Sequence, residues 1–138
     1  MGIDCNQFPS AAHLASWAGV CPGNNESAGK RISSKIRKGS PWLRRMACQS
    51  AWAAARTKNT YLSAQFKKLA ARRGRKCAIS AVAHSILVIG YHLQQKRCAY
   101  SDLGGNYFDR LHAEGLKRYL VKRLESLGHS VTLQPRIT

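Results

Sequence analysis

The chain has 138 residues, with 23 Lys+Arg against 6 Asp+Glu, a formal net charge of +17 and a pI near 10.4. That length allows one domain with a modest core, and a charge far above the magnitude of about 2–8 typical of small soluble domains points to a polyanionic partner. The six dispersed acids argue against a two-metal nuclease centre within this chain, and five cysteines without a C-x-x-C pair argue against a zinc ribbon.

In chain order, Ser10 is an N-cap before AAHLASWAG, a short Ala-rich helix that Gly19 stops. Residues 20–40 are expected to form a long basic loop with no regular element. Ser40-Pro41 is a serine N-cap with proline at the first helical position. The helix it opens is expected to turn Leu43, Met46, Ala47, Ser50, Ala51 and Ala54 inward. Thr60 caps the next, with Leu62, Phe66, Leu69 and Ala70 inward and Lys67, Lys68, Arg72 and Arg73 near its end. After Gly74, a helix over about 75–94 carries Ala78, Val82, Ser85, Ile86, Ile89 and Leu93 as its stripe. Its apolar run, AISAVAHSILVIGYHL, is broken by Ser80, His84, Ser85 and His92 and reads as a core helix, not a membrane span. AYSDLGGNYFDR is a turn-rich connector. A last helix is expected to bury Leu116, Leu120, Leu124 and Leu127. The tail HSVTLQP alternates as a strand would, without a visible partner. The fold class is therefore mainly α: a compact helical domain with a long basic loop after the first helix and at most one short C-terminal strand.

Within CPGNNESAGKR, Ser27 is either a polar turn residue or a nucleophile aimed at a phosphate. A serine hydroxyl needs a base, a metal or a positive field to attack, and neighbouring cations stabilise charge on a phosphoryl group. On chemistry alone Ser33, Ser34 and Ser40 are equally eligible. The run KRISSKIRK, and its echo KKLAARRGRK at 67–76, favour nucleic-acid contact over a merely solvated face. The string is not a nucleotide-binding P-loop: five residues separate Gly23 from Gly29, and Arg31 follows Lys30. His13, His84, His92, His112 and His129 are scattered. Trp17, Trp42 and Trp52 are expected as core anchors, with Trp42 beside the basic loop, and Cys48 and Cys77 as reduced core thiols. MGIDCNQFPS has neither the basic nor the apolar region of a signal peptide, so the expected location is cytoplasmic and nucleoid-associated.

The strings FPSAAHLASWAGVCPGNNESAGKR, RKGSPWLRRMACQSAWAAARTKNTYLSAQFKKLAARRGRKCAISAVAHSILVIGYHL and YSDLGGNYFDR resemble one family. It is the serine-dependent, RNA-guided insertion-sequence transposases related to the pilin-gene invertase, and the likeness is to their C-terminal domain. The motif W-A-G-x-x-P-G-x-x-x-S-x-G-K followed by K-G-x-x-W-L-R carries the likeness, which runs from about residue 6 to the tail. It implies that residues 1–138 form the catalytic-serine domain, with Ser27 joining covalently to DNA during strand exchange. It places Lys30, Arg31, Lys35, Arg37, Lys38, Arg44 and Arg45 against nucleic acid, and makes Gly23, Gly29 and Gly39 supports of the motif. It also implies DNA and a guide RNA as partners, with a full-length transposase or further copies of the chain as protein partners and no membrane. The family's resolvase-like nuclease domain, whose four acids bind metal, has no counterpart here. The expectation is a truncated copy with no cofactor of its own, Mg²⁺ belonging to the missing domain, and no recombination by this chain alone. The alternatives are a non-catalytic basic DNA- or RNA-binding module and, on composition only, a ribosomal-type basic protein.

Overall fold

A computed structural model describes residues 7–21, 23, 25–33 and 35–134. Cys5, Pro22, Asn24, Ser34 and Pro135 lie outside them, as do the side chains of Asn25 and Arg31. The elements run α1 (Ala11–Ala18), β1 (Asn25–Ser27), β2 (Lys30–Ser33), α2 (Pro41–Arg56), α3 (Tyr61–Arg73), α4 (Arg75–Lys96), α5 (Tyr107–Leu111) and α6 (Ala113–Ser126). The chain is mainly α-helical, and its described sheet is the single antiparallel pair β1-β2.

Helix starts follow local chemistry. The hydroxyls of Ser10, Ser40 and Thr60 accept from the backbone N–H groups of His13, Leu43 and Ser63, satisfying donors that an opening helix leaves without partners. Gly19 ends α1 in the left-handed region at φ 73°, which costs a side-chain-bearing residue about 1–2 kcal/mol, and Gly74 breaks α3 from α4 at φ 83° and ψ 162°, a region essentially confined to glycine.

The centre of the molecule is α4, against which α1, α2 and α3 all pack. The core is built from small residues: Ala15 and Ala18 of α1, Ala47 and Ala51 of α2, and Ile79, Val82 and Ala83 of α4, with Leu43, Leu62, Phe66 and Ile86 packed around them. Alanine at the contacts lets helix axes approach closely, and fully buried Val82 contributes about 1.5–3 kcal/mol by leaving water. A satellite cluster of Ala11, Leu14 and Tyr91 holds α1 to the far end of α4, where the Tyr91 hydroxyl donates to the Phe8 carbonyl at 2.9 Å. The long apolar helix is thus a core element, as its interrupted run predicts.

Several expectations are corrected. The 20–40 segment contains a hairpin, described in the next section. Met46, expected inward, is 61% exposed, Ser50 is exposed too, and the buried line of α2 runs through Ala47 and Ala51. Trp17, Trp42 and Trp52 are all exposed rather than core anchors, although Trp17 meets Phe8 and Trp52 meets Phe66 ring to ring. Cys48 packs against the core but Cys77 is exposed. Residues 129–134 carry no strand, because the described sheet stops at β1 and β2 and neither pairs with them. The leucine stripe of α6 faces solvent, because α5 is its packing partner among the described elements.

Candidate nucleic-acid interface and reactive serine

The segment between α1 and α2 is closed at its base by backbone. Ser40 N–H donates to the Trp17 carbonyl at 2.9 Å, and Gly23 N–H donates to the Lys35 carbonyl at 3.0 Å. Two glycines make this closure possible. A Cβ on Gly39 would fall 2.6 Å from the Trp17 carbonyl oxygen and 2.6 Å from Gly19 Cα; one on Gly23 would fall 2.7 Å from the Lys35 carbonyl oxygen. Cys21 sits at the same base, where burial pushes its thiol above the ordinary value and the nearby Arg37 charge opposes that only in part. The thiol stays protonated at neutral pH.

From this base rises a hairpin where the sequence suggested only loop. β1 and β2 pair with Ser27 opposite Lys30 and Glu26 opposite Arg31, then slip so that Asn25 faces Ser33 and Ile32 is left over as a bulge. Ala28 and Gly29 are the two turn residues, at φ 49° and 73°, and positive φ at both is what a type I′ turn requires and what matches strand twist. The Gly29 Cβ position is open space, so the backbone conformation, not crowding, is what suits glycine there. The sequence signal was weak because the strands are short and polar, and the turn reads Ala-Gly instead of Asn-Gly.

The hairpin sets the geometry of the candidate residues. Ser27 ends β1 with its side chain exposed, and its hydroxyl makes no hydrogen bond to a described residue. Directly paired residues project from the same face of a ladder, so Lys30 shares the face of Ser27. Lys35, Arg37 and Lys38 are exposed on the return to α2; Arg44 (half-buried) and Arg45 (exposed) lie in its first turns. Arg31 is placed through its backbone pairing with Glu26. Residues 21–45 hold seven Lys or Arg against one acid, Glu26. Trp42 is 75% exposed, with the Arg45 guanidinium 5.6 Å from its ring centroid. That exposed aromatic surface was missed at the sequence level; the i, i+3 spacing of Trp42 and Arg45 in the first turn beside a basic loop was the available signal.

Among the described residues no three His, Cys, Asp or Glu side chains come together as metal ligands. Asp102 is occupied in a loop, and Asp109, Glu114 and Glu125 belong to α5 and α6. The described carboxylates therefore do not fit a Mg²⁺ centre.

Residues 1–67 match the model of the Transposase IS116/IS110/IS902 family, just under half of the chain. The match takes in α1, the hairpin, α2 and the start of α3. It supports a transposase domain, and with it transposition or recombination as the function at family level. No curated protein and no solved structure matches the chain.

Proposed function

We propose that this chain is the strand-transfer part of a DNA transposase, with the hairpin and the first turns of α2 on the DNA backbone and Ser27 as the nucleophile. One observation carries the reading: an exposed serine hydroxyl, without a hydrogen bond to any described residue, stands beside the turn of a basic hairpin, with Lys30 on its face, inside the stretch that matches a transposase family.

The chemistry is a transesterification. Ser27 Oγ attacks the phosphorus of a phosphodiester; the new P–O bond to serine forms as the bond to one sugar oxygen breaks. The serine proton ends, in net terms, on the departing sugar hydroxyl, so charge and bond count balance and the linkage is conserved for rejoining. Lys30, on the Ser27 face, offsets charge on the non-bridging oxygens, and the exposed Lys35, Arg37 and Lys38 add positive field along the same segment. Activation of the hydroxyl is the missing part, since no base among the described residues hydrogen-bonds to Ser27. We assign that part to a separate nuclease domain carrying acids and Mg²⁺, and we assign a guide RNA to the remaining basic surface.

The test mixes the chain with a nuclease domain from a family member, cognate RNA, DNA ends and Mg²⁺, and looks for protein-linked DNA on a denaturing gel. The expected result is a shifted band that Ser27→Ala abolishes while binding persists; a band unaffected by Ser27→Ala would overturn the assignment. Strand exchange by the chain alone would sink the division of labour. The exposed cations of the same segment also fit a second reading, a non-catalytic DNA- or RNA-binding module, for which no covalent band forms and salt-sensitive binding remains.

A further inference from the structure

A cleft of about 1000 Å³ opens between α3 and the α5–α6 corner, and it shares no lining residue with the hairpin. Its fabric is fixed by backbone. Gly105 N–H donates to the Asn59 carbonyl at 3.1 Å, and a Cβ on Gly105 would fall 2.9 Å from Asn59 Cα, so the 104–106 turn lies directly on the α2–α3 link. Asp102 Oδ1 accepts from Tyr61 N–H and Gly104 N–H, holding the same turn to the start of α3.

The side chains on this frame divide by chemistry. Phe108 and Tyr119 offer aromatic surface; Lys67, Lys68 and His112 offer donors suited to an anion; Asn106 and Asp109 offer groups suited to the polar edge of a base. Phe108 is backed by the Tyr61 ring, stacked at 5.3 Å, and Lys68 Nζ lies over the Phe108 ring, 4.9 Å from its centroid, so a base stacking there moves the ammonium aside toward the phosphate it brings. An aromatic platform with cations at its rim is how sequence-tolerant proteins hold unstacked bases. A duplex hides its base faces in the stack, so these aromatic faces reach them only on a single strand.

We infer that this cleft is a second nucleic-acid site, which takes one unstacked nucleotide of a single-stranded segment: its base against Phe108 and Tyr119, its phosphate on Lys67, Lys68 and His112. Asp109 accepts from an N–H on the base edge, thymine N3–H or an exocyclic amino group, and repels a phosphate that enters reversed, which orients the unit. The site accounts for the second basic run, of which Lys67 and Lys68 are the members that line the cleft, whereas the hairpin accounts for the first.

The test measures binding of a fluorescent oligothymidylate and of a mixed-sequence duplex to the whole chain, with an iodouracil-substituted strand for photocrosslinking. Lys67→Gln combined with His112→Gln alters side chains at the cleft rim, and Tyr119→Leu removes an aromatic face while keeping bulk. Each is expected to weaken the single strand about tenfold and leave the duplex unchanged, and crosslinks should map to Phe108 or Tyr119. Equal loss for both substrates, unchanged single-strand affinity, or crosslinks confined to other parts of the chain would overturn the site. Thymidine monophosphate that binds as tightly as the oligomer would make the cleft a free-nucleotide site and overturn the strand reading. Failure of the hairpin to bind duplex leaves this test standing, because its readout is the single strand.

Discussion

Gly23, Gly29 and Gly39 meet three different constraints. Gly29 has open space around it but a left-handed backbone, Gly23 faces the Lys35 carbonyl, and Gly39 crosses the end of α1 backbone to backbone. Of these Gly39 is the least replaceable, since its Cβ would meet Gly19 N, Gly19 Cα and the Trp17 carbonyl oxygen all within 2.6 Å, whereas one on Gly23 would meet the Lys35 carbonyl oxygen at 2.7 Å. Gly39→Ala is expected to cost about 2–3 kcal/mol, the upper part of the overpacking range, and to lower the melting temperature by several degrees. Gly29→Ala should cost about 1 kcal/mol, confined to the hairpin. Thermal denaturation of the two variants separates crowding from backbone strain. All three glycines could be picked out in the sequence as motif members; which constraint each one meets could not, because it depends on how separate stretches of backbone come together.

At the scale of elements, α5 and α6 depend on one turn. Asp102 accepts from Tyr61 N–H, Gly104 N–H and the Tyr100 hydroxyl. Slight desolvation works to raise its pKa, but the three donors together outweigh it and hold the carboxyl below its ordinary value. A lowered folded-state value means that the stabilisation is complete above the ordinary carboxylate pKa of about 4 and is lost as pH falls through the lower folded value. Acidification below about pH 4 should therefore weaken the protection of the Tyr61 and Gly104 amides against hydrogen exchange, and Asp102→Asn should show weakened protection at neutral pH as well. Exchange rates that do not change in Asp102→Asn would show that other interactions hold the turn. The same corner explains the error over α6. Its leucines recur at helical spacing, which fixes the face they share but not whether anything covers it, and Leu127 remains 69% exposed. For the hairpin the difficulty ran the other way: strands of three and four residues whose one apolar side chain, Ile32, is exposed leave no alternating pattern to read.

For the whole molecule, the uncompensated charge is decisive. Against 23 basic residues the described residues form one ion pair, Lys117 with Glu114 at 2.7 Å, an exposed i, i+3 pair worth little in itself. The remaining charge repels itself unless a polyanion neutralises it. Replacing Lys35, Arg37 and Lys38 with Gln should make the dependence of duplex affinity on salt shallower by about one unit for each phosphate no longer neutralised. An unchanged slope in a salt titration would move the duplex site away from the hairpin base.

Local spacing was enough for the helical class, the capped starts of α1, α2 and α3 and the core role of α4, because each follows from residues close together in the chain. The sequence by itself also singled out Ser27 and the cations around it. Tertiary structure alone decided that Ser27 stands on a hairpin, that Trp42 and the α6 leucines face water, and that Lys67 and Lys68 meet Phe108 and Tyr119 in one cleft. Those outcomes depend on pairings and burials between distant segments, and a side chain's periodicity states which face it is on, never what that face will meet.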